Sequence, residues 1–294
     1  MVIQSKRVWI AGQFMGAQLV IGEGRIREIL PYDMRTADED CGDLRVLPGF
    51  LDIHTHGAYG FDTNDGEPEG LRRWALRIPG EGVTAFLPTT MAQGPEVLKR
   101  ALKNVAAVAE EGCEGAEILG VHLEGPYLDP DHRGAQAAEA LAEASAAELK
   151  DYQAAADGMI RYITFAPAHD EGFALLRYCR ENGIVASMGH SSAVYEQAAM
   201  AVANGVSGMT HVYNGMTGYH HRAPGLVGAA FRFCDVYGEV ICDGYHCHPA
   251  ALHTFFQAKG KYYGIMVSDS MRAKGCPPGE GYTLGGQPVC VDDG

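Results

Sequence analysis

Two histidines separated by one residue, His54 and His56, end an apolar run that begins at Pro48. Side chains two apart on a strand point to the same face, so both imidazoles can aim at one point beyond the strand's end. Two neutral imidazoles that converge in this way indicate a divalent metal. The pair alone is a weak signal, because the chain has 12 histidines and a second pair at His246 and His248. It gains weight only together with other metal-binding residue types.

A repeated pattern of strand, loop and helix follows from Pro48. We predict eight strands, at residues 48–54, 83–87, 118–123, 161–165, 184–188, 208–210, 239–242 and 264–268. Helices are predicted at residues 95–111, 145–156, 171–182, 194–204 and 249–258. Eight strands, most with a following helix, are typical of the (β/α)8 barrel, also called the TIM barrel.

Polar residues of metal-binding type stand at the carboxyl ends of these predicted strands. They are His54, His56, Glu124, His190, His211 and Asp269. In a (β/α)8 barrel those ends converge on the active face. A single His or Asp at a strand end is more often a cap or turn residue, but six at matching places favour a metal-dependent active site.

The barrel is predicted to be one of three segments of the chain. Residues 1–47 contain short strands separated by glycine turns, which we expect to form part of a small β-sandwich domain that needs further strands to be stable. Residues 48–280 form the catalytic barrel. Residues 281–294 are expected to begin the return to the small β domain, with a hairpin over 282–291.

Composition excludes several classes of function. The formal charge is −14, which argues against nucleic acid as a partner, because phosphate backbones require a basic surface. No run of 18 apolar residues is present, so no membrane span is expected. The first residues lack the apolar region of a signal peptide, and the eight cysteines show no C-x-x-C spacing. We therefore expect reduced thiols and a cytoplasmic location.

Several longer motifs occur in a fixed order along the chain. They are His54-Thr-His56, His122-Leu-Glu124-Gly125-Pro126, Gly189-His190-Ser191, Thr210-His211-Val-Tyr-Asn214-Gly215-Met216, His220-His221-Arg222, Asp243-Gly-Tyr-His246 and Ser268-Asp269-Ser270. Their combination resembles the amidohydrolase superfamily and, within it, the family of N-acetylglucosamine-6-phosphate deacetylases. The resemblance covers essentially the whole chain, and the Glu-Gly-Pro, Asn-Gly-Met and His-His-Arg runs are its specific part.

The resemblance implies a metal centre and a catalytic base. Glu124, His190 and His211 would bind the principal ion, and His54 and His56 would hold a second ion bridged by Glu124. One or two divalent ions are thus expected, either Zn or Fe. One carboxylate and two imidazoles also leave an open position for water, as a catalytic site requires. Asp269 would act as the general base and then as the acid.

The resemblance also implies contacts to a phosphorylated N-acetyl amino sugar. Arg222 offers a planar donor fork suited to phosphate. The remaining expected substrate-binding residues are Asn214, Gly215, His246, Gln136 and Gly125. Gln136 stands where the family commonly has a histidine, which affects sugar preference more than reaction class.

The expected reaction is hydrolysis of the acetamide of N-acetylglucosamine 6-phosphate, in amino-sugar catabolism, by a homodimer. Two alternatives also hydrolyse an amide bond: a deacetylase of N-acetylgalactosamine 6-phosphate, or another amidohydrolase such as a cyclic-amide hydrolase. A third is a sugar-phosphate-binding protein without catalysis, against which the presence of Asp269 argues.

The resemblance carries one expectation about the chain's end. Family members continue with closing helices and then return to the N-terminal sheet, whereas this sequence stops at Gly294. Open sheet edges favour aggregation, so we expect a version extended with a family-like C-terminus to be more stable and soluble.

Overall fold

The computed structural model describes residues 1–291, and the chain divides into two compact units. The first is Met1–Phe50 and the second begins at Leu51. The segment predicted over 281–294 falls in the second unit, and residues 292–294 lie outside the described residues. Among residues 1–291, no helix has both the length and the apolarity needed to cross a membrane.

The first unit is a mixed five-stranded sheet. Its strands are β1 (Val2–Ile10), β2 (Gln13–Gly22), β3 (Arg25–Pro31), β4 (Glu39–Asp40) and β5 (Arg45–Val46). The order is β3-β2-β1-β4; the first three strands are antiparallel, and β4 and β5 both pair with β1 in parallel. The two short parallel strands were not predicted, because two residues show no periodicity.

The predicted (β/α)8 barrel is confirmed. Its parallel strands are β6 (Phe50–Thr55), β9 (Val83–Thr90), β10 (Glu117–Ile118) with β11 (Val121–Glu124), β12 (Ile160–Phe165), β13 (Val185–Met188), β14 (Gly208–Met209), β15 (Tyr237–Ile241) and β16 (Gly264–Val267). Each pairs with the next in chain order. The third strand is broken, so that β10 and β11 pair with successive parts of β9. A short antiparallel pair, β7 (Gly57–Ala58) and β8 (Phe61–Asp62), follows β6.

Residues just beyond β16 close the barrel against β6. The Asp269 backbone N–H donates to the His54 carbonyl at 2.9 Å. The Ser268 hydroxyl donates to Asp52 Oδ2 at 2.5 Å. Closure therefore brings Asp269 directly beside the histidines at the end of β6.

Seven helices surround the strands in the described chain. They are α1 (Pro68–Arg77), α2 (Pro95–Glu111), α3 (Ala146–Ala155), α4 (Ala174–Glu181), α5 (Tyr195–Ala203), α6 (Gly225–Arg232) and α7 (Pro249–Tyr263). Helix α2 shows why such segments are predictable: Pro95 occupies its first turn, and Leu98, Leu102 and Val105 form one buried face. Helices α1 and α6 were not predicted. Six of the eight residues of α6 are buried and the segment is nearly all apolar, so its sequence shows no helical period.

The core has an apolar layer and a polar layer. Large buried side chains such as Trp74, Phe86 and Phe165 fill the space around the strands. Inside the barrel, Thr164 and Thr210 share a hydrogen bond of 2.8 Å between their hydroxyls, and Ser187 reaches Thr210 at 2.7 Å. These hydroxyl groups are fully buried next to the strand ends, where the predicted site residues lie.

The predicted hairpin is confirmed as β17 (Gly279–Leu284) and β18 (Gln287–Val291), an antiparallel pair. Its turn is formed by Gly285 and Gly286, with φ of +57° and +83°. Both angles lie in the left-handed region that favours glycine.

Candidate metal and catalytic centre

The six polar residues predicted at the strand ends lie together at the carboxyl end of the barrel. They form two groups, His54 with His56 and Asp269, and Glu124 with His190 and His211. Within each group the candidate ligand atoms lie within 4.8 Å of one another. The structure thus brings together side chains that lie far apart in the sequence: His54 and Asp269 are separated by 215 positions.

The Glu124 carboxylate lies between the two groups. Its Oε1 is 3.3 Å from His54 Nε2, 3.4 Å from His190 Nε2 and 3.3 Å from His211 Nε2. Its Oε2 is 3.1 Å from His56 Nε2. One carboxylate therefore faces all four imidazoles, which is the position a bridging ligand would need.

The His190 and His211 rings are oriented by backbone carbonyls. His190 Nδ1 is 2.8 Å from the carbonyl of His132, and His211 Nδ1 is 3.1 Å from that of Asn214. A carbonyl only accepts a hydrogen bond, so each Nδ1 carries a hydrogen, and in its neutral form each ring turns its Nε2 lone pair inward. The two Nε2 atoms are 3.1 Å apart.

This arrangement fits a divalent cation. Two lone pairs that face each other beside a carboxylate repel unless a positive charge lies among them. Buried Glu124 Oε1 also has no hydrogen-bond partner among the described residues, and the same holds for His54 Nε2. Imidazole nitrogens and carboxylate oxygens are ligands of Zn²⁺ and of Fe²⁺.

The pKa values of the site describe the same electrostatics. Burial lowers the pKa of His56, but hydrogen bonds to Asp269 and Glu124 outweigh it and raise that pKa to about 9. Burial raises the pKa of Asp269, but the charges of His54 and His56 outweigh it and hold that pKa below its usual range. Protons on the imidazoles thus balance the carboxylates, and a bound cation would take over this role and displace them.

Three site residues have left-handed backbone conformations. The φ angles of His190, His211 and Asp269 are +45°, +27° and +46°. Such angles are strained for residues other than glycine and cluster at functional sites. Each lies just after a barrel strand, where the chain must turn while its side chain points at the centre.

A cavity of about 400 Å³ opens onto this centre. Four of the predicted substrate-binding residues are among those that line it: Gln136, Asn214, Gly215 and His246. Met91, Met271 and Leu284 add apolar wall, the last from the end of β17. The described lining includes no lysine or arginine.

The other two predicted substrate-binding residues lie elsewhere. Arg222 is exposed and is not among the lining residues; its backbone N–H donates to His220 Nδ1 at 3.3 Å. Gly125 is buried behind Glu124, and a Cβ there would lie 2.9 Å from the Cβ of Ala92. Gly125 therefore permits close packing at the turn after β11 and does not face the cavity.

Gln136 holds Glu124 in place. Its Nε2 donates to Glu124 Oε2 at 2.8 Å, and its Oε1 accepts from the Ala92 backbone N–H at 2.7 Å. The Glu124 carboxylate can only accept a hydrogen bond and the Ala92 N–H can only donate one, so the orientation of the buried Gln136 amide is determined. The residue predicted to contact substrate thus also orients the central carboxylate.

Two buried carboxylates next to His54, those of Asp52 and Glu239, were not predicted from the sequence. Glu239 Oε2 is 2.9 Å from His54 Nδ1, and Asp52 accepts from the Ser268 hydroxyl and from the His54 backbone N–H. The only signal in the sequence is an acidic residue within an apolar strand, Asp52 in Phe50–Thr55 and Glu239 in Tyr237–Ile241. An acid at such a position must be paired or hydrogen-bonded.

Comparisons with known proteins agree with this architecture. A model of the amidohydrolase family matches residues 45–281. The chain is 42% identical over 252 residues to an N-acetylglucosamine-6-phosphate deacetylase of Bacillus subtilis (strain 168); the match spans 85% of this chain but only 63% of that relative's length. It is 36% identical over 277 residues to an N-acetylgalactosamine-6-phosphate deacetylase of Escherichia coli O157:H7. This match spans 94% of this chain and 72% of the relative's length.

A solved structure extends the similarity to three dimensions. It is a mutant N-acetyl-D-glucosamine-6-phosphate deacetylase of Mycobacterium smegmatis in complex with N-acetyl-D-glucosamine-6-phosphate. The TM-score is 0.94 at 28% sequence identity, over 100% of this chain and 76% of that one.

Proposed function

The chain belongs to the amidohydrolase family, and we propose that it hydrolyses the acetamide of N-acetylglucosamine 6-phosphate to glucosamine 6-phosphate and acetate. The observation that carries this proposal is the arrangement of one carboxylate and four imidazoles beside Asp269 at the floor of a cavity. The 42% identity to a deacetylase of this substrate supports the choice of sugar.

The residues that would hold the metal are Glu124, His190 and His211 for a principal ion, with His54 and His56 for a second. The ion is proposed to be Zn²⁺ or Fe²⁺, and when bound it supplies a Lewis acid that lowers the pKa of water and polarises the acetyl carbonyl.

Asp269 is proposed to move the proton that amide hydrolysis requires. Its side chain is 18% exposed and lines the cavity, while Oδ1 is 3.2 Å from His56 Nε2. Water loses a proton to this carboxylate as its oxygen bonds to the acetyl carbon. The carboxyl group then returns the proton to the nitrogen as the C–N bond breaks, which leaves acetate and a free amine.

The walls of the cavity would orient the sugar. His246 stands at the rim with Nδ1 2.6 Å from Asp243 Oδ2, so this carboxylate fixes the ring and leaves Nε2 for a sugar hydroxyl or the phosphate. Gln136, Asn214 and Gly215 line the cavity beside the metal ligands. These neutral groups suit an uncharged sugar ring.

The described cavity lining has no lysine or arginine, so the phosphate is proposed to extend beyond it to Arg222, an exposed residue of the loop that also carries Asn214 and Gly215. Replacing Arg222 with alanine is expected to raise KM for the phosphorylated sugar about 10- to 100-fold, because a hydrogen bond to a charged group contributes roughly 1.5 to 3 kcal/mol. Weak activity on N-acetylglucosamine itself should change little. Arg232→Ala, an exposed arginine at the end of α6, is the matched control. Equal losses on both substrates would show that Arg222 acts structurally.

Acetate release from a panel of N-acetyl amino sugars tests the proposed function. The panel contains N-acetylglucosamine and N-acetylgalactosamine, each with and without the 6-phosphate. We expect the highest kcat/KM with N-acetylglucosamine 6-phosphate. The galactosamine compound is the second candidate, favoured by the 36% identity to its deacetylase. Binding of either compound without acetate release would leave a sugar-phosphate-binding protein instead.

We also propose a cytoplasmic location and a homodimer. All eight cysteines are free, which suits a reducing compartment. Exposed aromatic side chains on the barrel unit, including Tyr219, Tyr245 and Tyr262, support an interface between copies. The molar mass in solution tests the second statement.

A further inference from the structure

A buried carboxylate that takes no part in the proposed chemistry lies behind the metal ligands. Glu239, on β15, is fully buried. Its Oε2 is 2.9 Å from His54 Nδ1 and accepts a longer hydrogen bond, 3.3 Å, from the His211 backbone N–H. Oε1 has no hydrogen-bond partner among the described residues, and no lysine or arginine of that part of the chain pairs with Glu239. A buried negative charge of this kind is costly unless it compensates a positive charge nearby.

The Glu239–His54 contact fixes the state of the imidazole. A carboxylate only accepts hydrogen bonds, so when a cation displaces the second proton of His54, Nδ1 keeps its hydrogen and the Nε2 lone pair faces Glu124 and Asp269, each 3.3 Å away. A negative charge behind an imidazole makes the ring a stronger electron donor to a metal.

The two groups of ligands differ in the charge of the residues that lie behind their imidazoles. His190 and His211 are backed by neutral carbonyls of His132 and Asn214. His56 Nδ1 is buried without a hydrogen-bond partner in the described chain. His54 alone among the four imidazoles has a carboxylate behind it, so the additional charge is placed at the group of His54, His56 and Asp269.

The number of negative charges in this cluster bears on how many divalent ions it can hold. Three carboxylates contact the ring nitrogens of His54, those of Glu124, Asp269 and Glu239; Asp52 contacts only the His54 backbone N–H. A single divalent ion would leave one of the three negative charges uncompensated, whereas a second divalent ion would compensate it with one positive charge in excess. Without Glu239, one divalent ion would already balance the remaining two carboxylates.

We propose that Glu239 is a positioning residue whose charge, acting through His54, strengthens the binding of the second divalent cation at His54, His56 and Asp269. This inference rests on the proposed metal-dependent hydrolase, but it concerns how many ions the chain retains and not which amide it cleaves.

The test is the Glu239→Gln variant. Glutamine can keep its oxygen at the position of Oε2 and accept the same two hydrogen bonds, so the substitution removes mainly the charge. Wild-type protein and variant are stripped with a chelator, titrated with Zn²⁺ alone, and measured for bound zinc per chain and for the affinity of each ion. We expect two ions in the wild type. In the variant, the second ion should bind about 10- to 100-fold more weakly, while the first keeps its affinity.

Two controls separate positioning from a general structural role. Asp170→Asn removes another buried carboxylate, one that accepts from the Leu175 and Leu176 backbone N–H groups at the start of α4, and should leave both ions in place. The double variant Glu239→Gln with His54→Asn should bind the first ion as tightly as His54→Asn alone, because Glu239 acts on the metal only through His54.

The outcomes are distinguishable. A wild type that binds neither zinc nor, in a parallel titration without oxygen, Fe²⁺ contradicts the proposed function itself. A wild type with one ion, a variant that keeps two ions at unchanged affinity, or a variant that loses affinity for both ions equally overturns the role of Glu239 and leaves the proposed function standing. Selective weakening of the second ion supports it.

Discussion

Replacing Asp269 with asparagine is expected to lower turnover by at least about 10²- to 10⁴-fold, the contribution of a positioned acid–base group. Asparagine has the same shape but neither accepts the water's proton nor delivers one to the amine. The Asp269 backbone N–H, bonded to the His54 carbonyl at 2.9 Å, is unaffected, so the local fold should persist. The measurements are kcat with N-acetylglucosamine 6-phosphate and Kd for the same compound, which should stay within a few-fold.

A metal effect must be separated from a proton-transfer effect in this variant. Asp269 Oδ1 lies 3.3 Å from His54 Nε2 and belongs to the same group of candidate ligands, so the substitution also weakens any ion held there. His54→Asn serves as the matched control, since it disturbs that group but leaves the aspartate. If zinc content falls equally in both variants while only Asp269→Asn loses turnover, the proton role is supported. Near-normal turnover of the Asp269 variant would remove this residue from the mechanism.

The sequence predicted the barrel and the convergence of its strand-end polar residues because both rest on local signals. Residues 95–111 form the predicted helix with the same bounds, since a proline at the start and a regular apolar face mark it. The strand ends at His54, Glu124 and Asp269 are visible as polar residues that interrupt apolar runs. The parallel topology of the barrel then predicts that these strand ends converge, and no side-chain contact has to be known for that prediction.

Side-chain contacts between residues distant in the sequence could not be predicted from it. Nothing in the sequence relates Glu239 to His54, because their contact arises only when the barrel closes. The bond from Gln136 to Glu124 has the same origin: a loop after β11 folds back onto the strand end. Residue type and spacing thus predicted the atoms facing the centre, while the groups that orient them became apparent only in the folded chain.

Replacing Glu124 with glutamine is expected to remove the principal metal and to abolish activity. Glu124 Oε1 faces three imidazole nitrogens at 3.3 to 3.4 Å, and burial leaves this carboxylate 2% exposed. The amide keeps the volume and can still hydrogen-bond to Gln136, but it brings no negative charge to a cation held by neutral imidazoles. The loss of metal affinity should exceed the roughly 10- to 100-fold typical of residues that only support a ligand.

The readout for Glu124→Gln is stability as well as metal content. A ligand that binds only the folded state stabilises it by about 4.1 kcal/mol at 1,000 times its Kd. Zinc should therefore raise the Tm of the wild type and leave the Tm of the variant almost unchanged. Glu148→Gln, on the outer helix α3, is the matched control and should retain the zinc-dependent shift. A Glu124 variant that still gains stability from zinc, and holds it through dialysis, would show that the ion binds elsewhere and that Glu124 serves only to order the four imidazoles.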